Sequence, residues 1–338
     1  MRFASIERLW TRRSRLLLLL LPASFLYCAV AELRRAAYRT GLLRRHRLPV
    51  PVVIVGNLTA GGTGKTPLVA WLAQFLKDRG YRPGLVARGY GGRARRWPQQ
   101  VRGDSDPYAV GDEPVMLARV TGCPMVAGPD RVMAARQLLE HHDCDLILSD
   151  DGLQHYALGR DVEIVVIDGV RRFDNGFCLP AGPLRERPRR LRSTDIVVVS
   201  GLAGRGECAM RIIQTGVASL LDPEMLQPLA RFRNRRVHAV AGIGNPRRFF
   251  DGLRQARIEV LEHGFPDHHA FQPHDLAFED QLPVLMTEKD AVKCQRYATA
   301  DMWMVRTRTE PDDQFGDAVL ALLEQRRPLA GQTEELGT

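Results

Sequence analysis

The sequence predicts an α/β fold, a P-loop-type doubly wound and mainly parallel sheet joined to a second, smaller α/β unit. Three observations predict it. Short apolar runs alternate with helix-patterned stretches between residues 52 and 200. The first run, Val52-Val53-Ile54-Val55, leads through a glycine-rich loop directly into a helical stretch. A second, shorter alternation begins near Arg235. With 338 residues, 45% of them hydrophobic and 26% charged, the chain is long enough for two ordinary cores.

The first element is an arm spanning residues 1–47. Leu16 to Ala31, LLLLLLPASFLYCAVA, carries no charge and is flanked by Arg12, Arg13 and Arg15 on one side and Arg34 and Arg35 on the other. The arm holds eleven Arg against Glu7 and Glu32, which accounts for the whole net charge of +9; the remaining 37 basic and 37 acidic residues cancel. A neutral body argues against a nucleic-acid-binding stripe, so no nucleic acid is expected as a partner. A cleaved signal peptide would fit the basic start and the Ala29-Val30-Ala31 ending, but it would export a phosphate-binding loop to a compartment without ATP. A spanning helix needs roughly 20 apolar residues, and this run, interrupted by Pro22, is shorter. Arginines on both flanks give no clear orientation. The preferred reading is a membrane-associating helix that dips into the cytoplasmic leaflet, its arginines on anionic head groups. Arginine clustering weakens the alternative of a buried first core helix.

The body, residues 48–234, opens with the strand Val52–Val55. Thr59-Ala60-Gly61-Gly62-Thr63-Gly64-Lys65-Thr66 follows. Glycines let backbone N–H groups converge on phosphate oxygens, Lys65 reaches the β/γ-phosphates, and the Thr66 hydroxyl can ligate Mg²⁺. Thr59 stands where the strict pattern has Gly. A helix over 66–79, a strand Gly84–Ala87, helices over 111–120 and 130–142, and strands Met125–Ala127, Leu146–Ser149, Val162–Ile167 and Ile196–Ser200 complete this alternation. Ligands gather at the carboxyl ends of such strands, which nominates Asn57, Arg88, Asp150, Asp151 and Asp168. The smaller unit, residues 235–325, has strands Val237–Ala241, Val284–Thr287 and Met302–Val305 and a helix Arg247–Ala256 capped by Asn245, with Pro246 at its first position. Residues 326–338 read as a polar tail. The six Cys form no C-x-x-C pair and read as reduced structural thiols.

Four constellations carry chemistry. Leu146-Ile147-Leu148-Ser149-Asp150-Asp151 is an apolar strand ending in two acids, the pattern of a Mg²⁺-holding partner to the phosphate loop; one Asp could instead cap the turn at Gly152. Gln154 and His155 follow closely and can face the same cleft. Gly111-Asp112-Glu113-Pro114 puts an acid at a helix start, where local logic favours capping by Asp112. Adjacent His268 and His269 point different ways, so a single general base fits better than a metal chelate. In Leu184-Arg185-Glu186, Arg185 could neutralise phosphate charge and Glu186 could add a metal ligand; Arg187, Arg189, Arg190 and Arg192 could be a solvated basic face.

These motifs, with Arg88-Gly89-Tyr90-Gly91, Asp267-His268 and Thr287-Glu288-Lys289-Asp290, resemble in order and content the tetraacyldisaccharide 4′-kinases, the lipid A 4′-kinases of Gram-negative bacteria. The resemblance runs from the apolar arm to about residue 308. It implies ATP-dependent, Mg²⁺-assisted phosphorylation of the 4′-hydroxyl of a tetraacylated glucosamine disaccharide 1-phosphate at the cytoplasmic face of the inner membrane. A monomer is expected. It implies Asp112 and His268 as a catalytic pair, overriding the capping preference. It further implies Lys65 on the β/γ-phosphates, Thr66 with Asp150 or Asp151 on Mg²⁺, and Arg185 with Glu186 closing the phosphate site.

Rivals fit less well. A GTPase or metallochaperone needs N-K-x-D or T-K-x-D, whereas Lys289 and Asp290 are adjacent. A membrane-surface partitioning ATPase carries Lys where Ala60 stands. A non-enzymatic scaffold leaves Asp112, Asp150, Asp151 and His268 unexplained.

Overall fold

The computed structural model describes Trp10 and residues 16–326. The expected arginines Arg12, Arg13 and Arg15, and all of the polar tail but Arg326, lie outside the described residues. Helix α1 is Leu16–Arg39. Then come β1 (Val52–Gly56), α2 (Lys65–Lys77), β2 (Pro83–Ala87), β3 (Gln99–Val101), α3 (Pro107–Val110) and α4 (Asp112–Thr121). They are followed by β4 (Met125–Ala127), α5 (Arg131–His141), β5 (Leu146–Asp150), β6 (Val162–Asp168), β7 (Ile196–Ser200), β8 (Cys208–Ser219) and β9 (Leu226–Gln227). The remainder holds β10 (Arg236–Ala241), α6 (Pro246–Gln255), β11 (Glu259–Gly264), β12 (Val284–Thr287), α7 (Glu288–Cys294), β13 (Met302–Pro311) and α8 (Asp313–Arg326).

One sheet runs through both halves in the order β11-β10-β12-β13-β8-β7-β6-β1-β5-β2-β4-β3, with β9 paired to β8. Pairing around the loop strand is parallel, β1 lying between β5 and β6. All five residues of β1 and of β5 are buried, because helices cover both faces. The exception to parallel pairing that matters most is β8, antiparallel to β13 from Ser219 to Met210 and parallel to β7 at its start. It joins the two alternations into one sheet, although it precedes the residue 235 break expected between two units.

The last helix also crosses that break. In α8, Phe315, Val319 and Leu323, four residues apart, bury into the core beneath α2, where Trp71 lies 5.6 Å from Phe315 ring to ring. Replacing Phe315 with Ala is therefore expected to destabilise the nucleotide-binding half by about 3–5 kcal/mol. Thermal melting followed with and without ATP measures this. A melting curve unchanged in both conditions would place α8 outside that core.

Two expectations about the arm are corrected. Helix α1 runs for 24 residues, because Glu32–Arg39 continue it past the uncharged run; by length and composition it can cross a membrane, and only 17% of its apolar window is buried. Leu18, Leu19, Phe25, Leu26 and Leu33 are exposed, related mostly by sevenfold spacing and so on one face. The opposite side docks on the body: Leu17, Ser24 and Cys28 are buried, and the Ser24 hydroxyl donates to the Cys178 carbonyl at 2.7 Å. That docking brings Cys28 against Cys178, and the two form a disulfide across 150 residues of sequence. The expected reduced state holds for Cys123, Cys144, Cys208 and Cys294.

Candidate active site

The phosphate loop is shaped by its glycines and braced from outside. Gly61 and Gly64 have φ of 97° and 94°, the left-handed region where a side chain is strained. Gly64 is the N-cap of α2 and offers no side-chain cap, leaving the first N–H groups of the helix for an anion. Thr59 needs no glycine conformation. It forms a bridge with Leu184, while Ala60 N–H donates to Pro183 and Arg185 N–H to Leu58. The segment 183–185 thus holds the loop entry in extended form. A turn of the C-terminal half closes on the same loop: a Cβ on Gly244 would lie 2.3 Å from the Gly62 nitrogen. Arg171 caps the Gly62 carbonyl at 2.7 Å.

At the carboxyl ends of β1 and β5 the charged residues converge. Thr66 Oγ1 donates to Asp150 Oδ2 at 3.0 Å. The other Asp150 oxygen is buried without a hydrogen-bond partner. Burial, with repulsion from Glu113, pushes the Asp150 carboxyl up to about 7. A hard divalent cation satisfies both conditions, since it supplies the missing partner and keeps the carboxylate ionised. Asp151 has a different environment. Its carboxylate accepts from Arg185 at 2.9 and 3.0 Å and lies 3.6 Å from Lys65 Nζ. Burial raises its proton affinity, but Lys65 and Arg185 outweigh that and hold it well below the usual carboxylate range. Lys65 and Arg185, both expected on phosphate, therefore share an anionic focus.

Glu186 departs from its expected place among metal ligands. Its two oxygens accept from Gln154 Nε2 at 2.9 Å and Tyr156 Oη at 2.5 Å, and Arg190 lies 3.4 Å away. Gln154 lies between the two neighbours, its Oε1 3.4 Å from Arg185 and its Nε2 donating to Glu186, so the Glu186 carboxylate braces Gln154. Among the described residues no three His, Cys, Asp or Glu side chains cluster as a metal-binding group. Gln154 itself reaches the Asn57 carbonyl at 3.1 Å. His155 packs on Arg131, and burial and that guanidinium lower its imidazole to about 4.

A second cluster forms where α4 meets the loop carrying His268. Asp112 is the first residue of α4, buried, with Gly111 at φ 98° before it; a Cβ on Gly111 would sit 2.8 Å from the Tyr90 carbonyl. Asp112 does not act as the N-cap; Gly111 occupies that position. Instead Asp112 accepts from His268 Nδ1 at 2.9 Å. His268, also at positive φ, packs at a tilt beside Tyr90 with ring centres 4.7 Å apart. His269 turns away to Asp275 at 3.0 Å.

Two lysines that sequence reasoning left without a role complete the cluster. Lys289 donates to Glu113 and Asp267 at 2.9 Å each and lies 3.4 Å from His268 Nε2. Lys293, one helical turn on in α7, sits 2.9 Å from Asp290 and 3.5 Å from Asp112. The available signal was position: Lys289 follows β12 at its carboxyl end, where the strand-end rule applies to the smaller unit too. Burial opposes ionisation of Asp112, but Lys289, His268 and Lys293 hold its carboxyl well below the usual range. His268 moves up from its ordinary value: burial pulls it down, and the hydrogen bond and charge of Asp112 more than offset this. Glu113 lies between the clusters, since it pairs with Lys289 and its charge also raises Asp150.

The chain is similar to known proteins along most of its length. The family described as tetraacyldisaccharide-1-P 4′-kinase (LpxK) matches residues 16–324. A tetraacyldisaccharide 4′-kinase of Nitrosococcus oceani is 57% identical, covering 95% of this chain and 94% of that protein. One of Alkalilimnicola ehrlichii is 50% identical, covering 92% and 94%. The crystal structure titled as the "apo" form of LpxK from Aquifex aeolicus in complex with ATP superposes with a TM-score of 0.77 at 28% identity, covering 91% of this chain and 99% of that one.

Proposed function

This chain belongs to the tetraacyldisaccharide-1-P 4′-kinase family, and from that premise we propose how its own residues transfer the γ-phosphate of ATP to the 4′-hydroxyl of a tetraacylated disaccharide 1-phosphate. The carrying observation is the buried Asp112–His268 pair, which Lys289 joins to Glu113.

ATP phosphates occupy the loop Thr59–Thr66, where N–H groups of the glycine loop and of the start of α2 cradle oxygens. Lys65 and Arg185 neutralise charge on the transferring group, exchanging part of their contact with Asp151 for phosphate oxygens. Thr66 and Asp150 would hold Mg²⁺, with Asp151 beside them; the ion, when bound, neutralises charge building up on the β- and γ-phosphates. Glu186 takes no part in that set and instead supports Gln154. Asp112 accepts the proton of the attacking 4′-hydroxyl. His268 donates its Nδ1 proton to Asp112 and so aims the carboxylate. Lys289 beside Nε2 disfavours a second ring proton. Because little nucleophile activation is needed in a loose transition state, a weakly basic but correctly aimed carboxylate suffices.

The pH dependence tests this arrangement. A protonated imidazole ties up the Asp112 carboxylate as an ion pair, so transfer requires neutral His268. Since His268 binds its proton more tightly than a free imidazole, activity should fall as pH drops through a midpoint above the ordinary histidine value of about 6.5. Phosphate transfer to the disaccharide in detergent, measured as kcat/KM against pH, gives the profile. The acid limb should vanish in His268→Gln; a limb that survives unchanged in that variant assigns it to another group.

The membrane reading extends to α1. A substrate with four acyl chains stays in the bilayer, and the exposed apolar face of α1 would bring the cleft to it as a monomeric enzyme on the cytoplasmic side of the inner membrane.

A further inference from the structure

The arginines between residues 187 and 192 have no role in transfer, yet they are not simply solvated. Together with Arg35 and Arg39 of α1, Arg187, Arg189, Arg190 and Arg192 line a cavity of about 710 Å³ between that helix and the 3₁₀ turn Pro188–Ser193. Two Glu line it as well. Glu32 is shared by Arg187 and Arg189, and Glu186 is committed to Tyr156 and Gln154. Arg190 is buried on Glu163 at 2.7 Å. Among the described residues Arg35, Arg39 and Arg192 have no carboxylate partner, and Arg35 is held in place by Ser193 at 2.5 Å. Burial and the neighbouring Arg190 charge both press against the protonated form of Arg35. An unmatched cluster of this kind favours an anion with several acceptor oxygens, such as a phosphate group.

Its arginines are not those assigned to the transferring phosphate. Glu163, which holds Arg190, is the second residue of β6, and Ser193 lies just before β7, so the arginine rim of the cavity sits at the amino-terminal end of the strands, while Glu186 on the other rim reaches Gln154. The catalytic loops all leave the carboxyl ends. Beside the cavity runs the exposed apolar face of α1, so a molecule with acyl chains on that face can place its head group among the arginines. We propose that this groove binds the phosphodiester head group of an anionic glycerophospholipid of the bilayer. It is a second lipid site, separate from the acceptor site, and fixes the height of the enzyme on the membrane. The inference rests on the reading of α1 as membrane-bound.

Full-length protein is tested by co-sedimentation with vesicles of phosphatidylcholine alone and of phosphatidylcholine mixed with phosphatidylglycerol. R35Q/R39Q/R192Q should lose affinity for the mixed vesicles by on the order of tenfold or more and keep its affinity for the neutral ones. R35K/R39K/R192K should recover most of the loss, and R192Q alone, which alters an exposed side chain, should show part of it. Mixed-vesicle binding unaltered in the triple Gln variant overturns the groove and leaves the α1 reading standing. Wild-type protein that sediments with neither vesicle overturns both. A raised KM of the triple Gln variant for the disaccharide in phospholipid-free detergent would give the groove to the substrate's own phosphate and overturn the second-site proposal.

Discussion

Asp112→Asn is expected to lower kcat for transfer to the disaccharide by about 10²–10⁴-fold with little change in ATP affinity. Amide and carboxylate have the same shape, and His268 can still donate to the amide oxygen. What disappears is the site that accepts the hydroxyl proton. ATP meets the protein at the loop Thr59–Thr66, which Asp112 does not touch, so nucleotide binding measured by calorimetry should stay near that of the parent. The substitution also removes negative charge beside Lys289 and Lys293, so a thermal melt must accompany the kinetics. Folded protein with transfer within a few fold of the parent would remove Asp112 from the proton path.

Lys65→Ala is expected to cost about 10²–10³-fold in kcat and to raise KM for ATP as well. Lys65 differs from Asp112 in touching the nucleotide both before and during transfer, so ground-state and transition-state binding fall together. Removing it leaves Asp151 paired with Arg185 alone, so the loop should keep its shape. Initial rates at varied ATP separate the two effects. An unchanged KM for ATP with full activity would mean that Arg185 alone supplies the charge, contrary to the role proposed for Lys65.

The nucleotide half was legible because its central strands are buried on both faces and read as unbroken apolar runs; β4 and β7 were placed to the residue, as was β12 in the smaller unit. Strands β8 and β11 were not, since Arg211, Gln214, Glu259 and Glu262 interrupt them at an edge or on an exposed face. Helix α8 was missed for a different reason: its short apolar spacing starts at Phe315 and is broken by Gly316, which is there because the Phe75 ring leaves no room for a Cβ. At the site, Lys65, Thr66, Asp150 and Asp151 follow from chemistry that is local in sequence. Asp112 with His268, separated by 156 residues, came only through family resemblance. Lys293 and Arg171 depend on how distant loops meet, which no spacing rule reports, and Lys289 had only its place just after β12 to mark it. Glu186 shows the converse, a residue of suitable chemistry beside suitable neighbours whose carboxylate is engaged by Gln154, Tyr156 and Arg190.

The return of α8 to the core beneath α2 bears on how the protein is made. A ribosome releases residues 52 to 200 long before it releases Phe315, Val319 and Leu323, so the nucleotide-binding half emerges with a strip of apolar surface uncovered. That half cannot reach its final stability until α8 has been translated.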